Sequence, residues 1–322
     1  MNTQWNVLVT APYMIPFMNR FTPVLESEGC RVIVPPVFER LEENQLLELV
    51  GNIDGTICGD DRYTRRVLEA ATRMKIISKW GTGIDSIDRA GCDELGIRIG
   101  NTPNAFSVPV ADSVFAYMLS FARQTPWMDQ QMKAGRWEKI AGKSLSECTI
   151  GIVGVGNIGK EVARRAASFG MTVLGNDVRE LDRSFLAVAQ MEPCKLNDLL
   201  ARSDFVTLHT DLNPSSHHLM STKQFAMMKP SAVLINTSRG PIVDEPALVA
   251  ALKTKQIAGA GLDVFEVEPL PDSSPLKQMS NVLLAPHNSN SSPAAWERVH
   301  QSSIRNLLSG LREVKRGERR AA

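Results

Sequence analysis

Three side chains in the second half of this 322-residue chain could do chemistry together: Arg239, Glu268 and His287. Each follows a short apolar run of strand length: 232–236 before Arg239, 258–263 before Glu268 and 282–285 before His287. In an open parallel sheet the C-terminal strand ends share one edge, so residues carried there can converge. A guanidinium fork there would hold a carboxylate and polarise a neighbouring carbonyl oxygen. An imidazole would give that oxygen a proton and take it back in the reverse direction. A carboxylate beside the imidazole would fix its tautomer and favour its charged form. Taken singly, each has a plainer reading as a surface arginine, a solvated acid or a core histidine. Taken jointly, they make a kit for reducing a 2-oxo acid, lacking only a reductant.

The reductant's place is legible upstream, in residues 148–177. An apolar run, 149–153, ends in Gly154-Val155-Gly156-Asn157-Ile158-Gly159. Residues 160–169 then have helical spacing, with Val162, Ala163, Ala166 and Phe169 on one face, and Gly170 stops them. A second strand, 171–175, is followed by Asp177, 18 residues after Gly159. Strand, glycine turn, helix, strand and acid form a βαβ unit suited to a dinucleotide. Gly154 would allow the sharp turn, Gly156 the approach of a pyrophosphate, and Gly159 close helix–strand packing. The helix N-terminus would face the phosphates. Asp177 would meet the ribose hydroxyls and repel a 2′-phosphate, which favours NAD; Arg179 reads as a solvated arginine. Asp263, deeper at its strand end, would accept from the nicotinamide amide. His209 and Thr210 would lie on the adenosine side.

Elements that position these residues follow from the alternation of patterns. Strands are expected at 6–10, 31–34, 55–58, 75–79 and 97–99, and after the glycine turn at 205–209, 232–236, 258–263 and 282–285. Helices are expected at 21–28, 42–50, 65–71, 108–121, 196–201, 223–227, 245–253 and 293–311. Such alternation implies α/β architecture with parallel sheets. Residues 124–142 read as polar and irregular, with Trp127 and Trp137 as packing or interface residues, and 315–320 as a basic, frayed tail. Two loops at strand ends of the first half stand out: Gly59-Asp60-Asp61-Arg62 and Trp80-Gly81-Thr82-Gly83-Ile84-Asp85. Glycines there can present bare amides to a carboxylate.

The totals set bounds. The length suggests about two domains. Hydrophobic content of 43% and charged content of 22% are ordinary for a globular protein, and a net charge of +1 offers no field for nucleic acid or membrane. Five cysteines (30, 58, 92, 148 and 194) form no CxxC pair and suggest reduced thiols in a cytoplasmic protein. No apolar run is long enough to span a membrane, no charged-then-apolar leader is expected, and no cluster has metal-ligand spacing. His217, His218 and His300 read as surface or structural residues.

The chain resembles the D-isomer-specific 2-hydroxyacid dehydrogenase family, especially its phosphoglycerate-dehydrogenase-like branch. The matching motifs include Lys79-Trp80-Gly81-Thr82-Gly83-Ile84-Asp85, Asn101-Thr102-Pro103, the glycine turn and Met228-Lys229-Pro230. Further along come Asn236-Thr237-Ser238-Arg239-Gly240, Ala260-Gly261-Leu262-Asp263-Val264-Phe265, Glu268-Pro269 and Pro286-His287. The resemblance implies two flavodoxin- or Rossmann-like domains. A substrate domain (1–103 and 290–322) would receive the inserted NAD-binding domain (104–289). It implies a cleft that closes on substrate and a homodimer joined mainly through the cofactor domains. It assigns the substrate arginine to Arg239, the supporting acid to Glu268 and the proton donor to His287. Thr82 and Gly83 amides would take the substrate carboxylate, and Asn157, Ile158, Asp177, Thr210, Thr237 and Asp263 would line the NAD site.

The chain departs from the family's pattern after the histidine, where it reads Asn288-Ser289-Asn290-Ser291-Ser292, and at Val110-Ala111-Asp112, where Val-Ala-Glu is usual. Asp60 stands where some phosphoglycerate enzymes carry a phosphate-binding arginine, which argues against 3-phosphoglycerate as substrate. No C-terminal regulatory domain is expected. The expected function is therefore NAD-dependent interconversion of a D-2-hydroxy acid and its 2-oxo acid. An NAD(H)-sensing binding protein of the corepressor type is the alternative; a reductase of an unrelated carbonyl compound fits Arg239 and Gly81-Thr82-Gly83 less well.

Overall fold

The structure is a computed structural model that describes residues 5–321, with side chains described through residue 313. It divides into two compact units, Met1–Ala105 with Ser292–Ala322, and Phe106–Ser291.

The first unit is built on β1 (Trp5–Val9), β2 (Cys30–Ile33), β3 (Gly55–Cys58), β4 (Ile76–Lys79) and β5 (Arg98–Gly100). Their order is β2-β1-β3-β4-β5, and neighbouring strands run parallel. Every residue of β3 and β4 is buried, as expected when helices cover both faces of a parallel sheet. The terminal helix Pro293–Ala321 packs against β3, β4 and β5. A Cβ at Gly310 would lie 2.7 Å from Ile76, and one at Gly55 would lie 2.7 Å from Leu307.

The second unit carries β6 (Thr149–Val153), β7 (Thr172–Asn176), β8 (Met191–Pro193), β9 (Phe205–Leu208), β10 (Val233–Asn236), β11 (Gly259–Leu262) and β12 (Val282–Leu284). The order is β12-β11-β10-β9-β6-β7-β8, again parallel, so the winding reverses between β6 and β9. That reversal opens a crevice at the C-terminal strand ends, where open α/β sheets bind ligands. The period of two sorts each strand between two cores. Val233 and Ile235 join Val114, Met118, Val162 and Ala166 on one face; Leu234 joins Leu199, Leu248 and Leu252 on the other.

The expected α/β, doubly wound architecture is what the chain adopts. Local differences have physical causes. Helix Arg89–Leu95, unforeseen because Gly91 weakens helical propensity, is capped by Asp88 and stopped by left-handed Gly96. Helix Arg183–Ala189 is likewise started by the Asp182 side chain, and β8 is a three-residue edge strand too short to leave a pattern. Residues expected to be irregular contain helix Thr125–Lys133, with Pro126 in its first turn, where a proline is tolerated. The backbone of the expected frayed tail is helical through Ala321.

Candidate active site

His287 and Glu268 are brought into direct contact. His287 Nδ1 lies 2.9 Å from Glu268 Oε2, and the other oxygen, Oε1, accepts the Phe265 amide at 2.9 Å. An ionised carboxylate only accepts, so Nδ1 carries the hydrogen of this contact. Both side chains are roughly a fifth exposed, so the pair is sheltered without being sealed.

The turn beneath His287 is held by Asp263, which is 1% exposed. The His287 amide donates to the Asp263 carbonyl, and the Asn288 and Ser289 amides donate to its two carboxylate oxygens at 2.7 and 2.9 Å. His287 itself has φ of +50°, in the left-handed region that non-glycine residues avoid. Sequence reasoning placed Asp263 at the cofactor but missed this grip on the histidine turn, because nothing in residue types announces a positive φ at a histidine.

Arg239 leaves the end of β10, the strand beside β11. Its Nη1 donates to the Ser238 carbonyl at 2.9 Å. Asn236 fixes this turn with both ends of its amide: Nδ2 donates to the Arg239 carbonyl and Oδ1 accepts the Ser238 amide. Ser238 Oγ ties the turn to the end of β9 through the Leu208 carbonyl. Gly240 then passes so close to the next loop that a Cβ would lie 1.8 Å from the Phe265 carbonyl oxygen. The loops after β10 and β11 are thus in backbone contact.

The glycine turn meets the requirements of a dinucleotide. Gly154 has φ of +91°, and a Cβ there would lie 2.6 Å from the His209 carbonyl. A Cβ on Gly159 would lie 2.2 Å from the Gly154 carbonyl. Gly156 differs: its Cβ would meet nothing nearer than Arg179 Nη2 at 4.0 Å, so this face is open to a phosphate. Helix Asn157–Ser168 starts there with no side-chain cap, leaving the amides of its first turn, at Asn157 and Ile158, to bind an anion. Three buried polar atoms at the crevice are unpartnered among the described residues: His209 Nδ1, Thr210 Oγ1 and Thr237 Oγ1. Buried polar atoms ordinarily find partners, so these three are exceptions to the rule.

Asp177 accepts the Val155 amide at 2.8 Å and the Arg179 amide at 2.9 Å. Burial pushes its carboxyl up, but the bonds from Arg179 and these amides outweigh it and hold it below the ordinary range. Arg179 is solvent-exposed, as expected, and its Nε lies 3.2 Å from Asp177. His209 is half-buried as a residue, yet its Nδ1 is closed to solvent and Nε2 meets Thr207 Oγ1 at 2.9 Å. Burial lowers its pKa to about 3, so the ring is neutral.

In the first unit, the loop after β4 is shaped by Asn101, whose Nδ2 donates to the Thr82 carbonyl, and by Thr82 Oγ1, which donates to the Thr102 carbonyl at 3.0 Å. Among the described residues, the Thr82 and Gly83 amides donate to nothing. Trp80 Nε1 pins the start of this loop to His300 Nδ1 at 2.9 Å, which makes His300 structural. Asp61 is fully buried and accepts from Thr10 Oγ1, the Leu41 amide and the Gly59 amide. Asp60 pairs with the nearly buried Lys79 at 2.9 Å. Among the described residues, no cluster could hold a metal ion and no helix is long and apolar enough to cross a membrane. A cavity of about 450 Å³ lined by Phe121, Trp127, Lys143, Asp204 and Asn281 lies at the opposite, N-terminal strand ends. It is remote from the dyad and has none of its chemistry.

A family model for the D-isomer specific 2-hydroxyacid dehydrogenase NAD binding domain matches residues 115–289. A glyoxylate reductase of Korarchaeum cryptofilum is 39% identical over 265 residues, 80% of this chain and 78% of the relative. A hydroxypyruvate reductase of Thermotoga maritima is 36% identical over 278 residues, 85% of this chain and 90% of the relative. The crystal structure of a D-lactate dehydrogenase from Aquifex aeolicus, complexed with NAD and lactic acid, superposes with a TM-score of 0.84 at 25% identity, covering 97% of this chain and 98% of that one. The corepressor alternative finds no support in these relatives. The chain belongs to the D-isomer-specific 2-hydroxyacid dehydrogenase family and is an NAD-dependent oxidoreductase of that family.

Proposed function

We propose that the enzyme reduces a short, unphosphorylated 2-oxo acid of the glyoxylate or hydroxypyruvate type to its 2-hydroxy acid, with His287, Glu268 and Arg239 as the catalytic residues. The observation that carries this is the His287–Glu268 contact of 2.9 Å at the C-terminal end of the sheet. NADH, held at the Gly154–Gly159 turn, would supply the hydride for the substrate C2. His287 Nε2 delivers a proton to the C2 oxygen as the carbonyl is reduced and recovers it in the reverse reaction. Glu268 holds the Nδ1 hydrogen and compensates the imidazolium. Arg239 holds the substrate carboxylate and polarises the carbonyl oxygen. The Thr82 and Gly83 amides are proposed as further carboxylate donors, on the strength of their unspent N–H groups.

For the cofactor, Gly154, Gly156 and Gly159 shape the turn and Asn157 and Ile158 offer amides to the pyrophosphate. Asp177 takes the ribose hydroxyls, Thr210 and Thr237 supply hydroxyls, and Asp263 keeps lone pairs for the nicotinamide amide. In this reading residues 1–103 and 290–322 form the substrate domain and 104–289 the NAD-binding domain.

An unphosphorylated substrate is supported by Asp60. Its carboxylate is 44% exposed while its partner Lys79 is 5% exposed, so the pair turns its negative member outward and disfavours a distal anion. A homodimer is supported by exposed apolar side chains in the cofactor unit, with Trp137 at 84% and Met132 at 50%. A cytoplasmic location is supported by five cysteines that are all free thiols. The test is NADH oxidation against glyoxylate, hydroxypyruvate, pyruvate, phosphohydroxypyruvate and branched 2-oxo acids. Turnover of glyoxylate or hydroxypyruvate well above the phosphorylated acid is expected; preference for phosphohydroxypyruvate would refute the substrate assignment.

A further inference from the structure

We propose that His218 is a positioning residue for the reaction, bridging the loop that carries Arg239 to the loop that carries Glu268. The inference rests on the roles proposed above for those two residues.

The bridge has a backbone half and a side-chain half. The His218 amide donates to the Pro241 carbonyl at 2.8 Å, Met220 donates to the Ile242 carbonyl at 3.1 Å, and Asp244 donates back to Met220 at 2.9 Å. Residues 218–220 are thereby zipped alongside the segment that directly follows Arg239, with Met220 and Val243 paired in parallel. From there the His218 ring crosses to the other loop, where Nε2 meets Glu266 Oε1 at 2.5 Å. Glu266 precedes Glu268 by two residues, in the turn whose Phe265 amide holds Glu268. On its other side the Glu266 amide donates to Glu245 Oε2 at 3.3 Å.

Two further observations say this arrangement is built. His218 holds φ of +51°, an unfavourable region for a residue with a Cβ. Its ring is stacked on His217 with centroids 4.0 Å apart. The contact it reinforces is already intimate, since Gly240 runs against the Phe265–Glu266 peptide. Yet the pair is peripheral: the side chains of His218 and Glu266 are 39% and 25% exposed. Polar contacts that exposed add little to stability. Their effect is instead to fix the distance between two loops whose side chains must address one substrate, where small misplacements cost rate.

The experiment uses the full chain with the best 2-oxo acid of the panel, and compares His218→Leu, His218→Gln, Glu266→Ala and the His218→Leu/Glu266→Ala double variant. His287→Ala serves as reference. In His218→Leu, kcat should fall by about tenfold or more, with the NADH Kd and thermal midpoint nearly unchanged. His218→Gln, which keeps a donor for Glu266, should recover most of the rate. The double variant should lose no more than the worse single variant, because one contact is removed in each. If His218→Leu fails to fold, Glu266→Ala carries the same expectation. A His218→Leu enzyme with unchanged kcat, a Gln variant no better than Leu, or multiplicative losses in the double variant would overturn the bridge. A fully active His287→Ala enzyme would overturn the catalytic reading beneath it, whereas an inactive one beside an unaffected His218→Leu enzyme would overturn the bridge alone.

Discussion

Asp263 and His287 are joined by a carbonyl–amide hydrogen bond of 2.8 Å, and the Asp263 carboxylate takes the two amides that follow the histidine. This clamp holds His287 at φ of +50°, a conformation that costs a side-chain-bearing residue about 1 kcal/mol. Replacing Asp263 by Ala leaves two amides without their acceptors. We expect a loss of stability of about 3 kcal/mol, since bonds to charged groups are the stronger kind, together with a fall in kcat. Asp263→Asn, which keeps one acceptor oxygen, should lie between. Urea unfolding and steady-state kinetics on the three proteins check both effects; an Ala variant as stable as the parent would remove the clamp from the account.

The two outer glycines of the turn and the middle one should fail in different ways. Gly159→Ala drives a Cβ to 2.2 Å from the Gly154 carbonyl, so folding itself should suffer. Gly156→Ala meets open space, so stability should stay within about 0.5 kcal/mol while the NADH Kd rises by about tenfold or more. Isothermal titration with NADH alongside thermal melts separates the cases. Tight NADH binding by Gly156→Ala would mean that the phosphates lie elsewhere.

Asp177 and Arg179 are expected to set the cofactor preference as a pair. With the carboxylate in place, Arg179 is neutralised at 3.2 Å and the ribose site is negative. In Asp177→Ser the guanidinium loses its partner and can meet a 2′-phosphate. The ratio of kcat/KM for NADPH to that for NADH should rise by about tenfold or more. An unchanged ratio would show that neither residue touches the ribose.

His209 should make folding acid-sensitive. Its folded pKa is depressed by burial to about 3, while the unfolded chain titrates at about 6.5. Between those values the unfolded chain binds the additional proton, so stability rises with pH. The contribution is complete above about pH 6.5 and is lost as pH falls toward 3. Urea midpoints of the parent should therefore drop more steeply from pH 7 to pH 4.5 than those of His209→Gln. Parallel curves would place the acid sensitivity in other groups.

Much of this arrangement is legible in the amino-acid order because parallel sheets put strand ends on one edge. Glu268 and His287 were expected as partners from that rule, and they touch. The turn glycines were equally readable, since Gly154 and Gly159 answer to backbone contacts that exclude a Cβ. What stayed hidden depends on conformation rather than composition. The clamp by Asp263 needs a left-handed histidine, and the ring contact of His218 needs a left-handed residue 48 positions before its partner. Arg179 is solvated as expected, and what residue types did not show is that the same side chain reaches back to Asp177. Helix Thr125–Lys133 was missed because it buries none of its own residues, so it has no apolar stripe to read.

The most direct test of the central claim is the turnover of His287→Ala with NADH and the preferred 2-oxo acid, measured beside the NADH Kd of the same protein. Loss of a positioned proton donor costs about 10²- to 10⁴-fold. The account predicts a fall in kcat of that size with NADH binding intact. Turnover near that of the parent would contradict it, and would take the proton away from His287.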